Sequence, residues 1–266
     1  MISSDASHPP LKVRVHENIG TVILNREERA NALSRQLVND LLQAFSDLHL
    51  QGNVRAIVLT GSGPTFCAGT DLNEIHDSFE QNDAANQWHL DCRQLRDLLE
   101  TMLRFPKPII AAVNGPAMGI GASLILAADL VVAAPEATLG APETQRGLVP
   151  GLLAPLLAFR MGAGRAAQVL LRGRNLSASE TLQLGIYHEI VHPDKVWAQA
   201  MMWAKECSSG ATEAIQLTRS LLNETIGESL MTWLSVGAAT TAAGRTTESA
   251  KEGIAAFLEK REPQWP

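Results

Sequence analysis

The chain has 266 residues, enough to bury one large core or a core with an appendage. Its net charge of −6, with 45% hydrophobic and 19% charged residues and no long basic run, fits a globular protein and argues against a nucleic-acid surface. Cys67, Cys92 and Cys207 stand too far apart for a metal site or a disulfide framework, which points to a reducing, cytoplasmic setting, and no apolar run reaches the ~18 residues of a membrane span.

Residues 1–11, opening MISSDASHPP, are polar and read as a flexible lead without the charged and apolar regions of a secretory signal. From 12 to 192, short Val- and Ile-rich runs alternate with helical patterns. Buried strands are expected at 21–24, 56–59, 109–113 and 130–133. Between the first two, a helix capped by Ser34 carries Leu37, Leu41, Phe45 and Leu48 on one face. A longer amphipathic helix over 84–104 ends at Pro106 and Pro108. A glycine loop at 115–121 feeds a short apolar helix. Ser177 and Glu180 form a capping box for a helix that Gly185 closes. From 193 to 266 the strand signals stop, and helices are expected over 193–207, 211–225, 228–243 and 246–260. This pattern predicts an α/β layered core followed by an all-helical region, without selecting a topology.

The loop at 115–121 reads G-x-x-x-G-x-G. It matches neither a dinucleotide fingerprint nor a P-loop, and it holds no lysine. A second glycine loop, GSGPTFCAGTDL, follows the strand at 56–59. Two strand-exit loops with small residues, at 68–70 and 119–121, offer two backbone N–H groups for one oxygen, the arrangement of an oxyanion hole. Two tight turns that need glycine dihedrals give the same pattern, and the residues alone leave both readings open.

The segments TVILNREERANAL, FCAGTDL, PKPIIAAVNGPAMGIGASL, AADLVVAAPEATLGAPE and FLEKREPQW, in this order from about residue 12 to the C-terminus, resemble the crotonase superfamily, the enoyl-CoA hydratase/isomerase family. The resemblance implies a spiral core of repeated ββα units, then a helical trimerisation region. It implies an acyl-CoA substrate, no separate cofactor or metal, and a homotrimer or dimer of trimers. By position it places the two oxyanion donors at the N–H groups of Thr70 and Ile120, where glycine is more usual than isoleucine at the second.

Hydratases of this family use two glutamates. At the first position this chain has Ser123; at the second it has Glu143. A serine hydroxyl without a partner base is a poor base, whereas shifting a double bond from C3–C4 to C2–C3 needs one carboxylate. The expected activity is therefore enoyl-CoA isomerisation, with a hydratase using a replaced second group, or a non-catalytic CoA-binding scaffold, as the alternatives. Ser123 is expected to bond back to the preceding turn. His76, His89 and His188 lack an identifiable orienting partner and read as structural or exposed. The CoA handle is expected along Phe66, Cys67 and Ala68, with Asp71 and Leu72 shaping the turn, Gly119 lining the site, and Arg26 near the ribose phosphate. Phe257 and Lys260 match a C-terminal pattern that reaches the CoA of a neighbouring subunit. The apolar stretch 148–162, which stands where the family is richer in glycine and polar residues, bears on substrate identity.

Overall fold

The computed structural model describes residues 9–225 and 227–266. The flexible lead expected over 1–11 lies largely outside them, and Leu11 already begins a strand.

In chain order the core runs β1 (Leu11–His16), β2 (Ile19–Leu24), α1 (Arg35–Leu50), β3 (Ala56–Gly61), α2 (Leu72–Ser78), α3 (Ala84–Arg104), β4 (Ile109–Val113), β5 (Ala117–Met118), α4 (Ile120–Ala127), β6 (Leu130–Ala133) and β7 (Leu139–Gly140). Then follow α5 (Leu153–Met161), α6 (Ala163–Leu171), β8 (Asn175–Leu176), α7 (Ala178–Gln183) and β9 (Glu189–Ile190). Four helices close the chain: α8 (Val196–Ser208), α9 (Thr212–Ser220), α10 (Glu228–Gly244) and α11 (Glu248–Glu259).

The main sheet has the order β1-β2-β3-β4-β6-β9, parallel except for the antiparallel β1–β2 pair. Its central strands are buried on both faces, which is why they read as unbroken apolar runs. A second small sheet, β5-β7-β8, lies beside the glycine loop. The four strands expected from sequence are β2, β3, β4 and β6. Strand β1, with apolar and charged residues alternating in LKVRVH, is a half-exposed edge. Strands β5, β7, β8 and β9 span two residues each, too short for any periodic signal.

The local signals for helix ends hold. Ser34 Oγ accepts from Leu37 N at 3.2 Å, and the four apolar residues of α1 named above are fully buried. The Ser177–Glu180 capping box is complete in both directions, and Gly185 stops the turn at φ +73°. Helix α4 is buried on all sides, so it carries no amphipathic stripe.

In the C-terminal region, α8 packs on the main sheet, α10 on α3 and α5, and α11 on α2 and the 3₁₀ turn Glu143–Arg146. Leu230 and Leu234 are buried inside this chain, whereas Trp233 is 46% exposed. A partner surface is therefore not needed for the two leucines. Among the described residues no helix is long and apolar enough to cross a membrane.

Candidate active site

Parallel neighbours β3 and β4 release their following loops at the same sheet edge, where ligands gather in open α/β sheets. Backbone hydrogen bonds sew these loops together. Phe66 N and Cys67 N donate to Pro116 O at 3.1 and 3.2 Å, and Met118 N donates to Cys67 O at 2.9 Å. Gly69, at φ +99°, lets the loops approach: a Cβ there would stand 2.9 Å from Met118 O.

Leu33 N donates to Gly69 O at 2.7 Å and Leu33 O accepts from Asp71 N at 3.0 Å, so the N–H of Thr70 is turned away from Leu33. Ile120 heads α4, where the first N–H groups have no intrahelical partner. Among the described residues no backbone carbonyl accepts from either N–H. Thr70 and Ile120 line one cavity of about 70 Å³. That is several times the ~10–15 Å³ a single water requires. The other walls are Pro142, Glu143 and Arg146, the stretch 148–153, Leu72 and Ile75 of α2, Leu95 of α3, and Thr241 with Arg245 at the end of α10.

Glu143 starts the 3₁₀ turn after β7. Its Oε1 lies over the glycine loop: a Cβ on Gly119, itself at φ +53°, would stand 2.7 Å from that atom. Its Oε2 is buried without a hydrogen-bond partner. Burial pushes the carboxyl pKa up to about 7, outweighing the pull of its own backbone N–H and of Arg146. The group is therefore part protonated and part ionised at neutral pH, as a proton shuttle requires.

A carboxyl whose pKa is raised on folding stabilises the fold relative to a pH-independent group below its unfolded pKa, and this contribution is lost as pH rises through the folded value. From 4.5 to about 7 the difference amounts to roughly 3 kcal/mol. Glu143→Gln should thus gain stability relative to wild type by that order between pH 4 and pH 8.5. Urea unfolding of both proteins at the two pH values checks this, and a constant gap would mean the carboxyl is not desolvated.

Of the residues expected at the site, Ala68, Thr70, Leu72, Gly119, Ile120 and Glu143 line this cavity. Ser123 does not: it is fully buried in α4, and its hydroxyl donates to Gly119 O at 3.4 Å. Phe66 is likewise in the core. Arg26 and Asp71 pair with each other at 3.0 Å, and Asp71 caps α2. Phe257 covers this chain's own Arg146, whose guanidinium carbon lies 4.0 Å from the ring centroid; Lys260 is the exposed C-cap of α11. Helix α11 thus packs over the Glu143 turn of its own chain, with Phe257 47% exposed. His76 and His89 are exposed, and His188 Nδ1 accepts from Val131 N at 2.9 Å, with burial lowering its pKa.

Sequence reasoning missed Arg146, Thr241 and Arg245. Arg146 lies three residues after Glu143 on one helical turn, and Thr241 and Arg245 sit one turn apart in an alanine-rich helix. The spacing is visible, but not the burial.

The site thus brings two backbone N–H groups without backbone acceptors and a buried carboxyl to one cavity. The family model described as enoyl-CoA hydratase/isomerase matches residues 14–266. A Thermus thermophilus protein described as an enoyl-CoA hydratase is 39% identical over 248 residues, covering 93% of this chain and 97% of that one. A mevalonyl-coenzyme A hydratase of Aspergillus fumigatus is 33% identical, covering 91% of this chain and 89% of its own. The crystal structure of an enoyl-CoA hydratase/isomerase from Pseudoalteromonas atlantica superposes with a TM-score of 0.84 at 29% identity, covering 97% of this chain and 100% of the other. The chain belongs to the enoyl-CoA hydratase/isomerase family. It has the crotonase-type α/β fold with a helical C-terminal region, and it is an enzyme of that class.

Proposed function

We propose that the protein acts on acyl-CoA thioesters as an enoyl-CoA double-bond isomerase with Glu143 as its one acid–base group. The observation that carries this reading is that Glu143 is the sole carboxylate among the described residues lining the cavity. The thioester oxygen accepts from the N–H groups of Thr70 and Ile120. Glu143 takes a proton from C2 of a 3-enoyl-CoA, the two donors hold the dienolate, and the same carboxyl returns the proton to C4. Each such donor is typically worth about 3–4 kcal/mol in the transition state. CoA is part of the substrate, and no other cofactor is required.

The CoA adenine lies along residues 66–68. Among the described residues the carbonyls of Phe66 and Ala68 accept no backbone hydrogen bond, so both are available to an amino group. Lys260, exposed at the end of α11, supplies positive charge toward the phosphates, and Phe257 covers Arg146 of the cavity wall.

A second reading, hydration of a 2-enoyl-CoA, is favoured by the names of the relatives and by a cavity with room for water. Parallel assays of 2-enoyl-CoA and 3-enoyl-CoA of one chain length separate them. Conversion of the 3-enoyl to the 2-enoyl thioester, with little 3-hydroxyacyl product, supports isomerisation. Hydration of the 2-enoyl substrate with an untouched 3-enoyl substrate replaces it with the hydratase reading. Binding of both with turnover of neither leaves a CoA-binding scaffold.

The assembly is a trimer or dimer of trimers. Trp197, Leu217, Trp233 and Val236, each between 46% and 69% exposed, give the helical region an apolar surface to bury. Light scattering should return three or six chain masses at micromolar concentration; a single chain mass excludes this.

A further inference from the structure

On the acyl-CoA reading just given, we propose that the cavity selects a short acyl chain that ends in a carboxylate, and that Arg245 holds that carboxylate.

Arg245 is only 3% exposed yet lines the cavity. Its Nη1 is buried without a hydrogen-bond partner. The nearest acid, Asp91, lies 3.9 Å from Nη1, beyond hydrogen-bond reach. Asp91 is already engaged: Arg35 Nε and Nη2 donate to its two oxygens at 2.8 and 2.9 Å, and Gln87 Nε2 donates at 2.7 Å. Arg35 N in turn donates to Glu74 at 2.9 Å. The Asp91 charge offsets part of the Arg245 charge, but it does not satisfy the guanidinium donors.

A guanidinium keeps its proton at any ordinary pH, so it cannot escape the cost of burial by neutralising. A buried charge is normally paired and hydrogen-bonded. Among the described residues lining the cavity, Glu143 is the sole carboxylate, and it forms no ion pair with Arg245. Thr241, one turn earlier, already donates to Val149 O at 3.3 Å and accepts from Gly151 N at 3.1 Å. Leu95 and Leu153 are apolar, and Glu143 is expected at the thioester end. A hydrocarbon chain would leave the guanidinium with the long Asp91 pair and no hydrogen bond, whereas a carboxylate matches its fork of donors. The small cavity sets a short chain. The acyl end supplies the carboxylate on this proposal, and the free-CoA arm of the test separates it from the phosphates of CoA.

The test measures binding of the monothioester glutaryl-CoA, its neutral five-carbon counterpart pentanoyl-CoA, and free CoA to the full-length protein by calorimetry. Wild type should bind glutaryl-CoA on the order of 10- to 100-fold more tightly than pentanoyl-CoA, the span of a charge-assisted hydrogen bond. Arg245→Met should remove that preference, and Arg245→Lys should restore part of it. Equal binding of the two thioesters by wild type overturns the proposal without reference to any variant. An equal loss of free CoA binding in Arg245→Met also overturns it, since the guanidinium then serves the CoA. Deuterium exchange at C2 of pentanoyl-CoA is followed in parallel. Exchange without a carboxylate preference sinks this proposal alone; no exchange and no binding of any acyl-CoA sinks the acyl-CoA reading beneath it.

Discussion

Replacing Glu143 by Gln is expected to slow proton exchange at C2 of a bound acyl-CoA by about 10²- to 10⁴-fold or more, the usual worth of one positioned acid–base group. The substitution keeps size and shape but removes the titrating oxygen. Because burial raises the carboxyl pKa to about 7, wild-type kcat/KM should rise with pH through that region as the base form accumulates. The Gln variant should lose this limb. Ser123→Ala should change the rate less than twofold, since the hydroxyl is fully buried and bonded to Gly119 O. The decisive comparison is Glu143→Gln against wild type on a 3-enoyl-CoA. Equal rates would show that another group moves the proton.

Gly119→Ala is expected to lower kcat/KM by about 10²- to 10³-fold, the range for loss of one oxyanion donor. Two independent features of this glycine argue for it. Its backbone, at φ +53° and ψ −122°, lies where side chains are strained. The added methyl would also stand 2.7 Å from Glu143 Oε1. Relief of either contact shifts the peptide that carries the Ile120 N–H or swings the carboxyl out of line. Gly164→Ala is the control, because nothing lies within 4 Å of a Cβ there; it should leave activity intact. Circular dichroism and thermal melting of both variants separate a local from a global effect. A fully active Gly119→Ala enzyme would mean that neither the loop geometry nor the carboxyl position limits the reaction.

The sequence by itself determined the features that arise within a few residues. Ser34 and the Ser177–Glu180 pair capped their helices because a side-chain oxygen needs only the N–H groups of the next turn. Four strands were readable because burial on both faces demands unbroken apolar runs. Ser123 bonded back to its own helix for the same short-range reason. The motif blocks carried the family. Other features depended on which distant residues came together. Whether Glu143 was an exposed loop carboxylate or a desolvated one was decided by α11, the 148–153 stretch and Gly119 closing over it. Leu230 and Leu234 look like Trp233 in sequence, yet packing against α3 and α5 buried the first two and left the third half exposed. Arg245 became a cavity group only because α10 lay across α3, and the pairing of Asp91 with Arg35 left its donors unsatisfied. Desolvation and charge pairing are sums over neighbours from the whole chain, so local pattern does not contain them, and tertiary packing decided both.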